Sequence, residues 1–319
     1  MNSFTVVIVT LNDKERLLKC INSIIENDYP KDKYEILVVD GGSKDGTIEA
    51  LEEMKIRYII DEGGNISHGR NKGLINAKND YLLFTDSDCI VPKDWINLMN
   101  TRANNFDNTN IIGIGGPNYS PANTTIYEKS ISILQKSFFG SGGSPQSYKF
   151  AKPQKVISLA NCNIMYHKDE LLDKKYLYDE SFNVGEDLEL NYRLKKDGYE
   201  FLYDPEIFVF HHHRSSFRSF FKQMYNYGSA IGRVNSKHNS LVRWYSPIPS
   251  LFIVGLLILA ISSFFLNIIG FFIPLFAILL LSISVYISIK NRSVYGLLTF
   301  INLPILIISY GLGYIIRNK

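Results

Sequence analysis

The sequence predicts an α/β domain with a mostly parallel sheet, followed by membrane helices. Its first 86 residues alternate between β-branched apolar runs and helical segments, an order that requires crossover connections between parallel strands. Residues 248–289 contain no charged side chain, and one bilayer crossing takes about 20 residues. Residues 246–319 hold four basic and no acidic residues, so they carry the positive charge of a chain whose formal net charge is +3.

The predicted elements follow one another without interruption. Short apolar runs of this kind favour buried strands, and apolar residues at helical spacing favour helices. Strands are predicted at FTVVIVT (4–10), YEILVVD (34–40), IRYII (56–60) and YLLFTD (81–86), and the helical segments between them begin at NDKERLLKC, GGSKDGTIEA and SHGRNKG. Because the carboxyl ends of parallel strands meet at one edge, where ligands bind, we expect the polar residues at those ends to form a site.

Two carboxylates follow the fourth predicted strand directly. Asp86 and Asp88 are two residues apart, so in extended chain they point the same way and repel each other. A divalent cation with oxygen ligands, Mg²⁺ or Mn²⁺, would offset that repulsion. A turn with aspartate caps before a helix near Pro92 is the alternative, which the spacing alone leaves open.

Several motifs together resemble a known family. VVIVTLN, EILVVDGGSKDGT, GRNKG, LLFTDSD and NVGEDLELNYRLKKDGY have the order and spacing of family 2 nucleotide-sugar glycosyltransferases of GT-A fold, over about residues 4–235. The segment YDPEIFVFHHHRSSFRSFFKQMYNYG and the apolar tail are similar to the branch that builds envelope or secreted glycans, typified by the succinoglycan-type transferases. The resemblance implies a GT-A (Rossmann-like) sheet with flanking helices, a nucleotide-sugar donor and a Mg²⁺ or Mn²⁺ cofactor.

The resemblance also assigns roles to individual residues. Nucleotide-sugar binding is expected from seven of them, namely Thr10, Asn12, Asp40, Arg70, Asn71, Asp86 and Arg214. Gly41 stands where the more usual family pattern has a second aspartate beside the first. Asp88 and Asp86 are expected at the metal, with His213 completing the shell. Partly exposed histidines at a strand end are an equal alternative for the HHH segment.

The motif GEDLELNYRL supplies the expected catalytic pair. By resemblance, Asp187 takes the proton from the acceptor hydroxyl, with Glu186 beside it, and the sugar is transferred with inversion in one displacement. A general base must lie within hydrogen-bond reach of that proton. Acidic residues favoured by the helix dipole are the structural alternative.

Three domains are predicted: a catalytic domain at 1–215, an amphipathic interfacial helix and linker at 216–245, and a membrane domain at 246–319 with about three transmembrane helices. Basic residues before the first span and at 290–292 predict a multi-pass protein of the cell membrane whose catalytic domain is cytoplasmic. No signal peptide is expected, because MNSFTVVIVTLND lacks a basic opening segment. Arg317 and Lys319 fit this topology poorly if all three segments span.

The predicted function is transfer of a sugar from a nucleotide sugar to a lipid-linked or glycan acceptor at the membrane. A polyprenyl-phosphate monosaccharide synthase, or a non-catalytic sugar- or lipid-binding scaffold, are the alternatives. The balanced charge of residues 1–245 argues against a nucleic-acid partner. The three cysteines share no close spacing, which fits a reducing compartment.

Overall fold

A computed structural model describes the chain except residues 107–109, 122, 149, 213, 267–268 and 318–319, and gives the backbone alone at 263–266 and 269–271. The chain divides into two compact units. The first comprises Met1–Pro121 and Lys149–His212, and the second comprises Ala122–Tyr148 and His213–Lys319. The three-domain division expected from the sequence stays a prediction, and the segment 122–148 belongs to the same unit as the C-terminal helices.

All strands found among the described residues lie in the first unit. They are β1 (Phe4–Thr10), β2 (Tyr34–Asp40), β3 (Arg57–Ile60), β4 (Tyr81–Asp86), β5 (Cys89–Ile90), β6 (Ile111–Gly115), β7 (Asn118–Tyr119), β8 (Gln154–Val156), β9 (Ile164–His167), β10 (Glu200–Tyr203) and β11 (Val209–His211). The four predicted strands are present, at the predicted places.

The helices are distributed over both units. They are α1 (Lys14–Ile25), α2 (Thr47–Glu53), α3 (Ile66–Asn76), α4 (Trp95–Ala103), α5 (Ile126–Gln135), α6 (Phe138–Ser141), α7 (Lys168–Asp173), α8 (Glu186–Lys196), α9 (Phe217–His238), α10 (Ile248–Leu266), α11 (Ile269–Lys290) and α12 (Thr299–Ile316). Helices α5, α6 and α9 to α12 belong to the second unit.

The main sheet has eight strands in the order β3-β2-β1-β4-β9-β6-β10-β8. Strands β3, β2, β1 and β4 are mutually parallel, and β9 is antiparallel to both of its neighbours. A second sheet of three short strands has the order β5-β11-β7. The predicted α/β class with a largely parallel sheet is confirmed.

The parallel strands are covered by helices on both faces, which is why they read as unbroken apolar runs. On one face, Val6 and Ile8 of β1 share an apolar core with Leu17 and Ile21 of α1. On the other face, Val7 shares a second core that includes Leu74 of α3. Within the sheet, Thr10 pairs with Asp40 and Val9 pairs with Asp86. The carboxyl ends of β1, β2 and β4 therefore lie side by side at one edge.

The second unit contains the apolar helices. Two segments are long and apolar enough to cross a membrane, Phe272–Lys290 and Val294–Ile316, and a shorter apolar stretch covers Ile248–Ser262. The side chains of α10 and α11 are exposed around most of their described circumference, whereas α12 packs against α9 and α5.

Candidate active site

The strand ends form the floor of the site. Asp40 is fully buried, and its Oδ1 accepts hydrogen bonds from the backbone N–H groups of Gly42 (2.9 Å) and Ser43 (2.7 Å). Its Oδ2 and the Thr10 Oγ1 are buried without a hydrogen-bond partner among the described residues. A buried acceptor with no donor costs free energy, so this pocket is chemically incomplete and suits a ligand that brings a donor.

Asn12 shapes the loop beside that pocket. Its backbone is left-handed (φ 50°), a conformation that asparagine tolerates better than most residues. Its Oδ1 accepts from the Lys44 N–H at 2.8 Å, and its own N–H donates to the Ser43 Oγ at 2.7 Å. Asn12 therefore holds the 41–46 loop, and both of these groups are already occupied.

A buried arginine joins the two acidic motifs. Arg70 is 4% exposed, and its Nη2 lies 3.1 Å from the Asp86 Oδ1, while its Nη1 makes an ion pair with the Glu186 carboxylate. The guanidinium also lies 6.0 Å from the ring centroid of Tyr178. The planar guanidinium of arginine suits two carboxylates at once, so Arg70 ties the end of β4 to the start of α8.

Asn71, the next residue, makes hydrogen bonds to the segment 178–180. Its Nδ2 donates to the Tyr178 carbonyl oxygen (2.9 Å) and to the Glu180 Oε1 (3.1 Å), and its Oδ1 accepts from the Tyr178 N–H (2.8 Å). The side chain is buried. Asn71 therefore fastens α3 to the segment 178–180, which in turn places Tyr178 over Arg70.

Asp88 pairs with a histidine from the small sheet. Its Oδ1 lies 3.3 Å from the His211 Nε2, because β5 and β11 are antiparallel neighbours with His211 opposite Cys89. The Arg16 Nη1 lies 3.7 Å from the other carboxylate oxygen. His213, expected at the metal, lies outside the described residues. No group of three His, Cys, Asp or Glu side chains able to hold a metal occurs in the part of the chain that the structure describes.

The charges of this cluster influence one another. Loss of hydration raises the pKa of Asp86; Arg70 opposes that shift, and the Asp88 carboxylate adds to it. Burial would lower the pKa of His211, but its hydrogen bond and charge interaction with Asp88 raise it to about 9. The Asp88 carboxylate therefore favours the protonated form of the His211 imidazole.

Asp187 lies one residue beyond Glu186, at the start of α8. Its Oδ1 accepts from the Leu188 N–H at 2.7 Å, and its Oδ2 accepts a longer bond of 3.4 Å from the Asn161 N–H. Asp187 is half-buried, whereas Glu186 is buried against Arg70. Asp187 is thus the more exposed of the two residues, and its negative charge contributes to the raised pKa of Asp86.

Arg214, expected at the diphosphate, is half-buried and belongs to the second unit. Three residues of the site were not singled out from the sequence for the positions that they occupy: His211, Tyr178 and Asn161. His211 is two residues before the predicted His213 in the same HHH segment of the sequence, which is the signal that could have found it. Tyr178 and Asn161 carry no motif, because their contacts with Asn71, Arg70 and Asp187 join distant parts of the sequence.

Comparison with known proteins decides the family. The profile described as Glycosyl transferase family 2 matches residues 5–173, which is more than half of the chain. The chain belongs to glycosyl transferase family 2. This glycosyltransferase uses a nucleotide sugar, and Asp40, Asp86 and Asp88 lie within the matched region.

One relative matches the glycosyltransferase over nearly its whole length. It is the dolichyl N-acetyl-alpha-D-glucosaminyl phosphate 3-beta-D-2,3-diacetamido-2,3-dideoxy-beta-D-glucuronosyltransferase of Methanococcus voltae, 28% identical over 98% of this chain and 96% of that protein. The succinoglycan biosynthesis protein ExoA of Rhizobium meliloti is 24% identical over 75% of this chain and 72% of its own.

A solved structure shares the fold along the whole chain. The mannosyltransferase PcManGT from Pyrobaculum calidifontis, solved in complex with GDP-Man and Mn²⁺, has a TM-score of 0.64 and 16% sequence identity, and covers 100% of this chain and 88% of its own. The predicted GT-A fold is thereby confirmed for this family 2 glycosyltransferase.

Proposed function

We propose that this glycosyltransferase is an inverting, divalent-metal-dependent enzyme that moves a sugar from a nucleotide sugar to a lipid-linked saccharide at the cytoplasmic face of a membrane. One observation carries the proposal. The acidic residues of two distant motifs, Asp86 with Asp88 and Glu186 with Asp187, converge at one edge of the sheet, and Arg70 joins them. A site for sugar transfer must hold both a donor and an acceptor, and each of the two acidic motifs would serve one of them.

Asp88 and His211 would hold the metal. Their facing atoms are 3.3 Å apart, close to the roughly 3 Å that separates adjacent ligands about 2.1 Å from an octahedral ion. A carboxylate oxygen and an imidazole nitrogen suit Mn²⁺ as well as Mg²⁺. When bound, the metal would supply positive charge to the departing nucleoside diphosphate. The proton on His211 must leave for this nitrogen to bind a cation.

Asp40 and Thr10 would receive the nucleoside. The Asp40 Oδ2 is an acceptor whose partner is absent from the described chain, and the N–H groups of uracil or guanine are donors of the right kind. The other carboxylate oxygen already closes the loop at Gly42 and Ser43. The aspartate is therefore fixed before the donor binds, which limits the entropy lost on binding.

Asp187 would act as the general base. A carboxylate held by the N–H groups of Leu188 and Asn161 keeps its orientation while it takes a proton from the acceptor hydroxyl. The hydroxyl oxygen then attacks the anomeric carbon as the bond to the diphosphate breaks, so the configuration inverts without an enzyme-bound intermediate. Glu186 would position Arg70 and through it Asp86, and it would make no contact with the acceptor.

A lipid-linked acceptor is supported by two observations. The name of the Methanococcus voltae relative places that enzyme's substrate on dolichyl phosphate, and the second unit of this chain contains helices apolar enough for a membrane. A saccharide carried on a polyprenyl lipid would be presented at that surface. A multi-pass topology with the first unit on the cytoplasmic side agrees with the basic residues at 290–292.

The test is binding of UDP-GlcNAc and GDP-mannose to the full-length protein with and without Mn²⁺, followed by transfer to polyprenyl-linked N-acetylglucosamine. Wild type should bind one donor more tightly with Mn²⁺, and Asp88→Asn should lose that gain. Asp94→Asn, at the start of α4, is the matched control and should behave as wild type. Equal donor binding and transfer in EDTA would overturn the metal role, and transfer only to bare polyprenyl phosphate would favour a monosaccharide-lipid synthase.

A further inference from the structure

The position of α12 is at odds with its composition. Both Phe272–Lys290 and Val294–Ile316 are long and apolar enough to cross a membrane, yet only 17% of the first segment is buried within the protein, against 44% of the second. A helix surrounded by lipid exposes most of its side chains, as α11 does. Whether α12 can cross a membrane therefore depends on which helices pack around it.

Helix α9 covers α12 along its length. A Cβ on Gly228 would overlap the Tyr310 carbonyl oxygen, one on Gly232 would lie 2.8 Å from the Tyr314 oxygen, and the Asn235 Nδ2 donates to the Tyr314 hydroxyl at 3.0 Å. These contacts advance together along both chains, so the two helices run parallel and touch at glycines. Helix α9 has 22 residues and α12 has 18, about 33 and 27 Å, so α9 is long enough to cover all of α12.

Helix α9 is not among the described helices that are apolar enough to cross a membrane. Its buried residues include Phe220, Met224 and Gly228, and none of its four basic side chains is among them. Those basic residues are Arg218, Lys222, Arg233 and Lys237. At 100° per residue the four lie within about 100° of one another around the helix, so they form one cationic stripe with no acidic residue in α9 to neutralise it.

Helix α5 covers another part of α12. The Asn302 Nδ2 of α12 donates to the Ser130 Oγ at 2.9 Å, and the Lys129 Nζ lies 5.9 Å from the ring centroid of Tyr295, just before α12. Helix α5 begins with a capping box in which Glu128 accepts the Thr125 N–H. Helix α12 therefore packs between two helices that carry charged residues.

We propose that α12 does not cross the membrane, and that α9 and α12 lie together at its cytoplasmic surface while α10 and α11 alone form an inserted hairpin. If α12 crossed, its parallel neighbour α9 would carry a row of cations into hydrocarbon, where Lys and Arg are strongly disfavoured. Lying at the surface instead, α9 would direct its cations to anionic headgroups, and Ile301, Ile308 and Ile315 of α12, which are exposed, would face the acyl chains.

This arrangement removes a conflict in the sequence. With three crossings, Arg317 and Lys319 fall on the side opposite Arg243 and Lys290, against the positive-inside rule. With two crossings, every basic residue of the second unit lies on one side. Helix α10 has 19 residues and α11 has 22, and both lengths fall within the range of about 17–25 residues that transmembrane helices have.

The inference rests on the proposed membrane location and is tested by cysteine labelling of the full-length protein in bacterial membranes. The native cysteines Cys20, Cys89 and Cys162 are all buried, so the unaltered protein gives the background. Ser240→Cys, Val294→Cys and Ile316→Cys each replace an exposed residue, before α10, after α11 and at the end of α12. The probe is a membrane-impermeant maleimide, added to sealed spheroplasts or to inside-out vesicles.

All three cysteines should label at least tenfold more in inside-out vesicles than in spheroplasts. Gly255→Cys, in the middle of α10, should label in neither until detergent is added. Labelling of Ile316→Cys in spheroplasts, with Val294→Cys labelled only in vesicles, would show that α12 crosses and would overturn the proposal, as would aqueous labelling of Gly255→Cys. Failure of donor binding would leave this pattern unchanged, whereas release of the protein by carbonate would contradict the proposed membrane location itself.

Discussion

The first unit has 22 basic and 30 acidic residues, and the second has 12 basic residues and a single acidic one, Glu128. In the first unit, several charges are buried and paired side chain to side chain, as in Arg70 with Glu186 and Arg102 with Asp204. In the second unit, Glu128 caps its own helix, and basic residues outnumber acidic ones by twelve to one. The first unit is therefore sensitive to the loss of single charges, and the second to changes in helix contact.

The largest effect should come from the base. Asp187→Asn keeps the shape and the hydrogen bonds from Leu188 and Asn161 but cannot accept a proton, so kcat should fall by about 10²–10⁴, roughly 3–5 kcal/mol. Donor affinity should stay the same, because the lost interaction is made in the transition state. Asp197→Asn, at the other end of α8, is the control. Near wild-type turnover of Asp187→Asn on a hydroxyl acceptor would reject the assignment.

The next effect should come from the buried ion pairs. Arg70→Met leaves Asp86 and Glu186 without their common partner, and removing one member of a buried pair costs about 3–5 kcal/mol. The midpoint of thermal unfolding should drop clearly. Arg57→Met breaks the Arg57–Glu35 pair, whose side chains are more exposed than those of Arg70 and Glu186, and it should cost about 1 kcal/mol or less. Equal unfolding midpoints for the two variants would mean that burial of Arg70 does not increase the contribution of its ion pairs to stability.

A smaller effect tests the second unit. Gly228→Ala forces a Cβ against the Tyr310 carbonyl oxygen where α9 meets α12, and overpacking of this kind costs about 1–3 kcal/mol. Gly255→Ala on α10 meets nothing within 4 Å and should stabilise its helix slightly. Thermal unfolding in detergent should therefore move in opposite directions for two identical substitutions. A matching response would contradict the close contact of α9 and α12.

The smallest effect should appear at the nucleoside. Asp40→Asn keeps the acceptor for Gly42 and Ser43 but turns the unpartnered oxygen into a donor, which should weaken UDP or GDP binding about tenfold, near 1.4 kcal/mol. Asp32→Asn, just before the opposite end of β2, serves as the control. Calorimetric titration gives the answer directly, and unchanged affinity would place the nucleobase elsewhere.

Local patterns made the first unit largely predictable. Strands β1, β2 and β4 carry their apolar runs in consecutive residues, and Thr10, Asp40 and Asp86 follow from where those runs end. The pairing of Glu186 with Arg70 was not predictable, because 116 residues of chain separate the two and no local pattern links them. For the same reason the pairing of His211 with Asp88 was not predictable.

The second unit was less predictable for a different reason. Its apolar helices are evident from composition, but composition does not say what covers a helix. Helix α12 reads as a membrane span because Ile and Leu dominate it, and only the approach of Gly228 and Ser130 shows that polar helices cover it. The segment 122–148 has no signal that would assign it to the C-terminal helices, since its partners lie more than 80 residues further along the chain.

The guanidinium between Asp86 and Glu186 also restricts how the sequence can drift. Replacing Arg70 alone leaves two carboxylates without their common partner. Replacing either carboxylate alone leaves the buried guanidinium with one negative charge fewer beside it. A lysine cannot replace the arginine, because an ammonium group lacks the planar fork that serves two partners. Each single substitution among these three residues gives a less stable protein. We therefore expect residues 70, 86 and 186 to be conserved together among descendants of this gene.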